Sequence, residues 1–503
     1  MKRREFIKAA ALGTAGIGLG SCSSPARKRN SKAVRRPNLL FVFADQLGYT
    51  RCGYAGGGKA RTPNIDGLAS QGVSFCNAVS NMPVCAAFRA SLFTGKYTTS
   101  TGMVINELRM RTDHECIGQV LTQSGYRTGY IGKWHLYANE LGNHFDPKNS
   151  FVPPGPNRLG FDGYWAAYNF HHDYYNAYYH TDSPEKIFYG DKTYEPDAQT
   201  DLMIDFVRGA AKSGGPFAAF LSYGTPHDPW TANNVPEEYR KMFESVSLPN
   251  PPNYKDENDK YADAWGRLQP EQRKLIEVWR RNYYAMTANL DWNIGRLIDA
   301  VDKAGLARDT IVVFTSDHGE MFGAQGRRAK NIFYEEAARI PFLIRWPGRI
   351  PAALVCDACL STVDIMPTIL SLMSLKIPND VEGMDLSRCA LGCKGPEPQA
   401  AFLQNTGACA AWENGHEWRA LRDKQYTYAI YRVDKSELLF DNKNDPHQMI
   451  NLAADPKHAA TLRRFRKMLA TKMESLNDTF EQCTWYRDNW TDGNRNILRG
   501  AKG

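Results

Sequence analysis

PNLLFVFAD, residues Pro37 to Asp45, decides how the rest of the chain is read. The run from Leu39 to Ala44 is apolar without alternation and closes on an acid, which predicts a strand buried on both faces, as in a parallel sheet. Asp45 then stands at the carboxyl end of that strand. The same grammar returns in RTGYIGKWH, which carries Lys133 and His135, in PFAAFLSYGTPH, which ends at His227, and in TIVVFTSDHGE, which carries Asp317 and His318. Each stretch places polar chemistry just beyond a strand. The clearest helical pattern runs from Gln272 to Lys303, where Trp279, Tyr283, Met286, Leu290, Ile294, Leu297 and Val301 recur every three or four residues to make one apolar stripe facing a sheet. Strands alternating with such helices predict a doubly wound α/β fold, in which ligands bind beyond the carboxyl ends of the strands.

A chain of 503 residues, 43% hydrophobic and 23% charged, has the composition of a folded enzyme and excludes wholesale disorder or a polytopic membrane protein. The net charge of +8 is no sign of a nucleic-acid partner. Residues 1–36 hold ten basic side chains against the single acid Glu5, a balance of +9, so everything after them sums to −1. That basic leader reads KRREFIK and then AAALGTAGIGLG, too short to span a bilayer, and Arg3 and Arg4 resemble a twin-arginine export signal. Leu19 to Cys22 resemble a bacterial lipobox, so the expected product is periplasmic or a lipoprotein held to the membrane only through Cys22. A plain cleaved signal without lipid is the simpler alternative.

The expected organisation is an export signal over 1–22, a basic linker over 23–36, a catalytic domain over 37–385 and a smaller C-terminal α+β part over 386–503. A shift in composition between Lys376 and Pro398 marks the last junction, and the alternation in EWRALRDKQYTYAIYR beyond it predicts a hairpin. Asn233 to Leu268, rich in Pro, Asn, Lys and Glu, reads as a surface excursion without chemistry. Eleven cysteines in so long a chain are not a disulfide framework. Cys356 with Cys359, and Cys389 with Cys393, have spacings that a zinc site uses, but no histidine accompanies them, so buried thiols or a local disulfide are the better expectation.

Asp45 and Gln46 at one strand end, and Asp317 and His318 at another, supply carboxylate, amide and imidazole donors for one hard divalent cation. VCAAFRASLFTGKY, Val84 to Tyr97, puts Cys85 at the start of a helical segment with Arg89 one turn later. A nucleophile there meets free amides and the positive end of the helix dipole, an arrangement suited to sulfate or phosphate.

With Cys85, Arg89, Leu92, Thr94 and Gly95, this segment resembles the signature of the sulfatases, in which the cysteine is oxidised to formylglycine (3-oxoalanine). Ala87 and Phe88 stand where the commonest pattern has proline and serine, and Ala87 is similar to the variant that anaerobic radical maturation enzymes accept. GKWHL around Lys133 and His135, TPHDPW with His227, SDHGE followed by Lys330, and ELLFDNKNDPHQMINLA near the end match the family in order, so the resemblance covers about Pro37 to Ala453. It implies an alkaline phosphatase-like mixed central sheet flanked by helices, with a smaller C-terminal α+β domain. It also implies a metal site of Asp45, Gln46, Cys85, Asp317 and His318, holding calcium, with magnesium or manganese as substitutes, and a catalytic set of Cys85, Arg89, Lys133, His135, His227 and Lys330.

On this reading the hydrated aldehyde at residue 85 attacks sulfur, Arg89, Lys133 and Lys330 neutralise the sulfate, His227 protonates the leaving alcohol, and His135 takes a proton as sulfate leaves. The expected substrate is a sulfated carbohydrate, and a formylglycine-generating enzyme is the expected maturation partner. Phe161 to His180, crowded with aromatics, offers either a wall for a sugar ring or ordinary core. Asn106, Arg109 and Arg111, just after the signature helix, could reach substituents or a second anionic group, but solvated loop charge is the better expectation. Gln46 and His318 also resemble a branch that includes phosphonate monoester hydrolases and choline sulfatases, so phosphonate or phosphodiester hydrolysis is the alternative. A carbohydrate-binding lipoprotein is the reading left if Cys85 is unmodified.

Overall fold

The computed structural model describes residues 36–138 and 146–489, together with the ribbon residues 491, 492, 495 and 496. The expected export signal, Cys22 and all but the last residue of the basic linker lie outside the described residues. Among the described residues no helix is long and apolar enough to cross a membrane.

Eight strands make the central sheet: β1 (Asn38–Ala44), β2 (Val73–Val79), β3 (Arg127–Lys133), β4 (Tyr164–Tyr168), β5 (Phe217–Ser222), β6 (Thr310–Ser316), β7 (Phe342–Arg345) and β8 (Leu354–Ser361). Their order is β8-β2-β7-β6-β1-β5-β3-β4. Neighbours run parallel except around β7, which is antiparallel to both β2 and β6. The predicted α/β sheet is therefore mixed, and the strands read as buried on both faces occupy its middle.

Alternation along β1 explains why it reads as continuously apolar. Leu39, Phe41 and Phe43 enter one core, packed with Phe88 and Phe93 of α2 (Cys85–Thr94) and with Ile365 and Ile369 of the helix Thr362–Leu372. Leu40 and Val42 enter the opposite core, against Met203 and Val207 of α3 (Glu195–Ser213) and Leu290, Ile294 and Leu297 of α4 (Pro270–Lys303). Helices thus cover both faces, and β1 is apolar from Leu39 to Ala44, its one polar side chain, Asn38, being hydrogen-bonded to Thr310 and to the Phe217 amide. The stripe predicted for 272–303 is the buried face of α4. From that helix Asp291 accepts the Asn64 and Ile65 amides at 2.9 and 2.8 Å, capping α1 (Pro63–Gln71) from across the interface.

The C-terminal part is a four-stranded antiparallel sheet, β9 (Ala401–Asn405), β10 (Trp418–Arg422), β11 (Tyr426–Tyr431) and β12 (Glu437–Asp441), with the helix Ala459–Ser475 on one face. The hairpin predicted from EWRALRDKQYTYAIYR is β10 and β11, with Arg422 opposite Thr427. Its other face closes on the central sheet through Val79, Cys359, Leu403 and Trp418. There Arg422 donates to both carboxylate oxygens of Glu335, at 2.6 and 3.0 Å, and to Asn77 Oδ1 at 2.9 Å. The pair is almost solvent-free, with side chains 4% and 7% exposed. All ten cysteines among the described residues are free thiols, and Cys356 and Cys359 are buried in β8, so neither zinc ligation nor a local disulfide is needed to account for them.

Replacing Arg422 with methionine leaves Glu335 at a buried interface with only Arg339, 3.2 Å from Oε2, to pair its charge, and losing hydrogen bonds to a charged group typically costs about 1.5–3 kcal/mol. Denaturant unfolding of Arg422→Met should show a loss of that order; a loss below about 1 kcal/mol, as for an exposed pair, would contradict the latch.

Candidate active site

Parallel register brings the first two acids together. Ala44 lies opposite Ser316, so Asp45 and Asp317 leave adjacent strands at one level. Gln46 turns through a left-handed backbone, φ 71°, which aims its amide at Asp317 Oδ1, 2.9 Å away. His318 follows, and Gly319 lets the chain pass because a Cβ there would stand 2.0 Å from the Glu336 carbonyl oxygen.

Cys85 enters this cluster from the first turn of α2, a helix buried along its whole length. Its Sγ is 3.0 Å from Lys330 Nζ, 3.2 Å from His318 Nε2 and 3.6 Å from Asp45 Oδ1. One turn on, Arg89 donates to the Lys133 carbonyl and to Ser222 Oγ, both at 2.7 Å, while its second terminal nitrogen sits 3.6 Å from Asp45 and 3.9 Å from Asp317. Lys133 Nζ donates to Asp45 Oδ2 at 2.5 Å. Gly132 makes that approach possible: φ is +97° and a Cβ would meet the Ser222 carbonyl at 2.0 Å.

Asp45, Cys85, Asp317 and His318 each offer a ligand atom within 4.8 Å of the others, all buried. His318 Nδ1 lies 3.0 Å from the Gly319 carbonyl, which can only accept, so the lone pair of Nε2 points at Asp45 Oδ1 (3.7 Å) and Asp317 Oδ1 (3.5 Å). Lone pairs converging without a proton between them repel, and Asp317 Oδ2 is buried without a hydrogen-bond partner. Burial alone would raise the Asp45 carboxyl, but Lys133, His227, Lys330 and His318 outweigh it and hold the group well below its usual range. Burial and the charge on Asp45 push Asp317 up to about 7. Two acids competing for the same positive charge, beside an aimed neutral imidazole, are the donor set a divalent cation requires. Gln46 stands at the margin of this set, with Nε2 donating to Glu320 at 2.6 Å and Oε1 accepting from Lys330 at 3.3 Å.

Above the cluster opens a cavity of about 310 Å³ with Cys85, Gln46, His227 and Lys330 in its wall. Lys330 Nζ is 2.9 Å from His227 Nε2, and His227 Nδ1 is 2.9 Å from the Asp228 carbonyl, so the ammonium donates to a neutral ring. Burial and then Lys330 bring His227 down to about 4. Burial and the charge of Asp45 push the Cys85 thiol up to about 11, so the thiol as such is a poor nucleophile at neutral pH.

Of the residues singled out in the sequence, Asp45, Gln46, Cys85, Arg89, Lys133, His227, Asp317, His318 and Lys330 converge here. His135 stands apart: its ring packs on Phe170 at 4.4 Å, and neither ring nitrogen has a hydrogen-bond partner. Asn106 is a correction. It is buried, not solvated, and its Oδ1 caps α2 by accepting the Ala86 amide at 3.0 Å. Arg111 does pair locally with Asp113 at the surface. The excursion expected to lack chemistry supplies Trp265 to the cavity rim. The aromatic stretch divides, with Phe161, Trp165, Tyr168 and Tyr174 in the core and Phe170 and His172 on the cavity wall. His172 stacks on His227 at 3.9 Å and 3°. Only the histidine pair itself could have flagged it, since loops carry no periodicity.

Residues 37–375 match the family model described as Sulfatase, and residues 323–475 match that described as N-sulphoglucosamine sulphohydrolase, C-terminal. The chain belongs to the sulfatase family. An ulvan-active sulfatase of Formosa agariphila is 36% identical to this sulfatase over 458 residues, 90% of this chain and 84% of the relative. An endo-4-O-sulfatase of Bacteroides thetaiotaomicron is 28% identical over 518 residues, covering 93% and 96% of the two chains. A solved structure from work on the metabolism of multiple glycosaminoglycans by Bacteroides thetaiotaomicron gives a TM-score of 0.76 at 27% identity, over 90% of this chain and 98% of its own. The sulfatase is thus a sulfuric ester hydrolase, and its family implies a divalent metal and a formylglycine.

Chelator-treated sulfatase should gain about 2.7 kcal/mol of stability when a divalent cation reaches 100 times its Kd, read as a rise in Tm, and Asp317→Ala should abolish the rise. A Tm indifferent to both chelator and cation would remove the metal site.

Proposed function

We propose that this sulfatase, once exported, hydrolyses sulfate esters on carbohydrates through a formylglycine at position 85. The observation that carries the reading is the placement of residue 85 on the first turn of α2, at the floor of a cavity, with Lys330 at 3.0 Å and His318 at 3.2 Å. The thiol marks where the hydrate oxygen belongs. Hydration of the aldehyde supplies the nucleophile, and a bound cation, which we assign as calcium from the oxygen-rich donors, would supply the Lewis acidity that favours its ionisation.

The chain's own residues do the rest. Asp45, Gln46, Asp317 and His318 hold the cation. Arg89 and Lys133 fix the floor of the site and offset its buried acids, while Lys330 faces the cavity where the sulfuryl group sits. His227, whose Nε2 accepts from the Lys330 ammonium, takes that proton and passes it to the leaving oxygen, a step a sugar alcohol needs because it leaves poorly. His135 takes the proton that must depart for sulfate to be expelled and the aldehyde restored.

A carbohydrate substrate is supported by the relatives named for ulvan and for endo-4-O action, and by a rim where Trp265 is 46% exposed. Residues 1–22 would direct export, Cys22 would carry a lipid, residues 23–36 would tether the enzyme, and a formylglycine-generating enzyme would mature it. We take residues 37–385 as the catalytic domain and 386–503 as its C-terminal partner.

Protein from its native host should show a loss of roughly 18 Da at residue 85, the bookkeeping of thiol to aldehyde. Cys85→Ala should release sulfate from sulfated sugars only at background, and matched phosphate esters should be poorer substrates; full sulfate release by that variant would end the mechanism. His227→Ala should lose roughly 100-fold or more on sugar sulfates but far less on nitrophenyl sulfate, whose leaving group needs no acid. Equal losses on both would remove His227 from that role.

A further inference from the structure

Glu107 and His135 face each other across a short stretch of paired backbone. The Met110 amide donates to the Leu136 carbonyl at 2.8 Å and the Ala138 amide to the Leu108 carbonyl at 3.1 Å, with Arg109 opposite Tyr137 in an antiparallel bridge. Both residues are held in the left-handed region, φ 68° for Glu107 and 54° for His135. Non-glycine residues pay of order 1–3 kcal/mol for such a conformation, which persists where the surroundings over-determine it and clusters at functional sites. The result is a carboxyl and an imidazole set facing: Glu107 Oε1 is 3.8 Å from His135 Nε2.

Neither group is satisfied elsewhere. Glu107 Oε2 and both ring nitrogens of His135 are buried without a hydrogen-bond partner. Three unpaired polar atoms in one buried spot cost more than a structural role warrants, and an approach of well under an ångström between Oε1 and Nε2 would pair one of the two ring nitrogens. Glu107 lines the catalytic cavity, which opens to solvent, whereas His135 sits behind it against Phe170. Burial pushes the Glu107 carboxyl up to about 8 against the pull of Lys133. Burial, with Lys133 and Arg89, holds His135 well below its usual value. A lone carboxylate or a lone imidazolium is thus disfavoured here, and one proton shared between them suits both.

We propose that Glu107 is the positioning residue for His135, fixing its ring and holding the tautomer that leaves Nδ1 free to take a proton. This rests on His135 being the base of the sulfate-expelling step. The resting pair holds one proton between Nε2 and Oε1. A second proton arrives on Nδ1 from the departing hydroxyl, Glu107 keeps its hold on the shared proton and stabilises the imidazolium, and Nδ1 then gives the second proton up to solvent. The pair ends as it began, with Nδ1 free, and the net transfer is a single proton from hydroxyl to solvent.

The isosteric Glu107→Gln keeps the shape and loses the acid. Measured on a sulfated sugar with formylglycine content and Tm matched to wild type, it should lower kcat by roughly 100-fold, because a step lacking its acid–base partner slows on that scale. Since only expulsion is slowed, KM should fall with kcat and kcat/KM should stay within about twofold. Glu107→Asp, which retains the carboxyl, should recover part of kcat. His135→Ala should show the same pattern, and the double variant should be no slower than His135→Ala alone, as members of one unit are not additive. A raised KM at unchanged kcat for Glu107→Gln, or additive losses in the double variant, would overturn the pairing. Wild-type turnover by His135→Ala would instead overturn the assignment of His135 as base, and the pair with it. Loss of Tm in both Glu107 variants at unchanged kcat would make Glu107 structural only.

Discussion

Two buried carboxylates at the ends of adjacent parallel strands set the terms for the rest of this structure. Asp45 and Asp317 are placed by strand register, and neither has water to stabilise its charge. Three cationic side chains from three different segments meet that demand: Arg89 from α2, Lys133 from β3 and Lys330 from the loop before β7. Each arrives with a cost that is met locally. Lys133 needs a glycine before it, Arg89 needs the Ser222 hydroxyl, and Lys330 leans on a neutral histidine. The divalent cation that the family implies would complete the set, and His318 is one of the residues that would hold it. The reactive position at residue 85 inherits this field and does not create it.

The strand-end acids and Lys133 were legible in the sequence because each follows an apolar run whose length is diagnostic, whereas Cys85 was legible through its spacing to Arg89, Thr94 and Gly95 in a family signature. The antiparallel β7 was not, since FLIR is too short to declare its direction. Asn106 was misread for a related reason: its partners are the Ala86 amide and the Cys409 carbonyl, which lie far away along the chain and leave no mark on the sequence around it. Glu107, His172 and Trp265 sit on loops whose shape is set by tertiary contacts, and no local pattern betrays them. His135 shows the limit of a motif. Its place in GKWHL was right for the family, yet its environment, behind Phe170 and opposite an unpaired acid, belongs to the folded chain alone.

The C-terminal sheet is part of the active site as well as a cover for the central one. Asn331, next to Lys330, donates to the Gly407 carbonyl at 3.0 Å and accepts from Trp418 Nε1 at 3.3 Å. Asp263, in the excursion read as mere surface, accepts the Cys409 amide at 2.6 Å. The Arg422 to Glu335 pair anchors the same loop a few residues further on. Lys330 is therefore held at its post by residues more than seventy positions downstream, and the catalytic chemistry presupposes that the last third of the chain has docked.

Cys85 is 1% exposed, and every residue of the helix it begins is buried. A catalyst that must grip the peptide around a side chain in order to oxidise it has no purchase on a segment laid beneath a sheet. The chemical life of this position is accordingly ordered in time. On the proposed reading, conversion would happen while the chain is still open and collapse would then seal the new group in place, which is the order that the proposed export of a finished, folded protein would require.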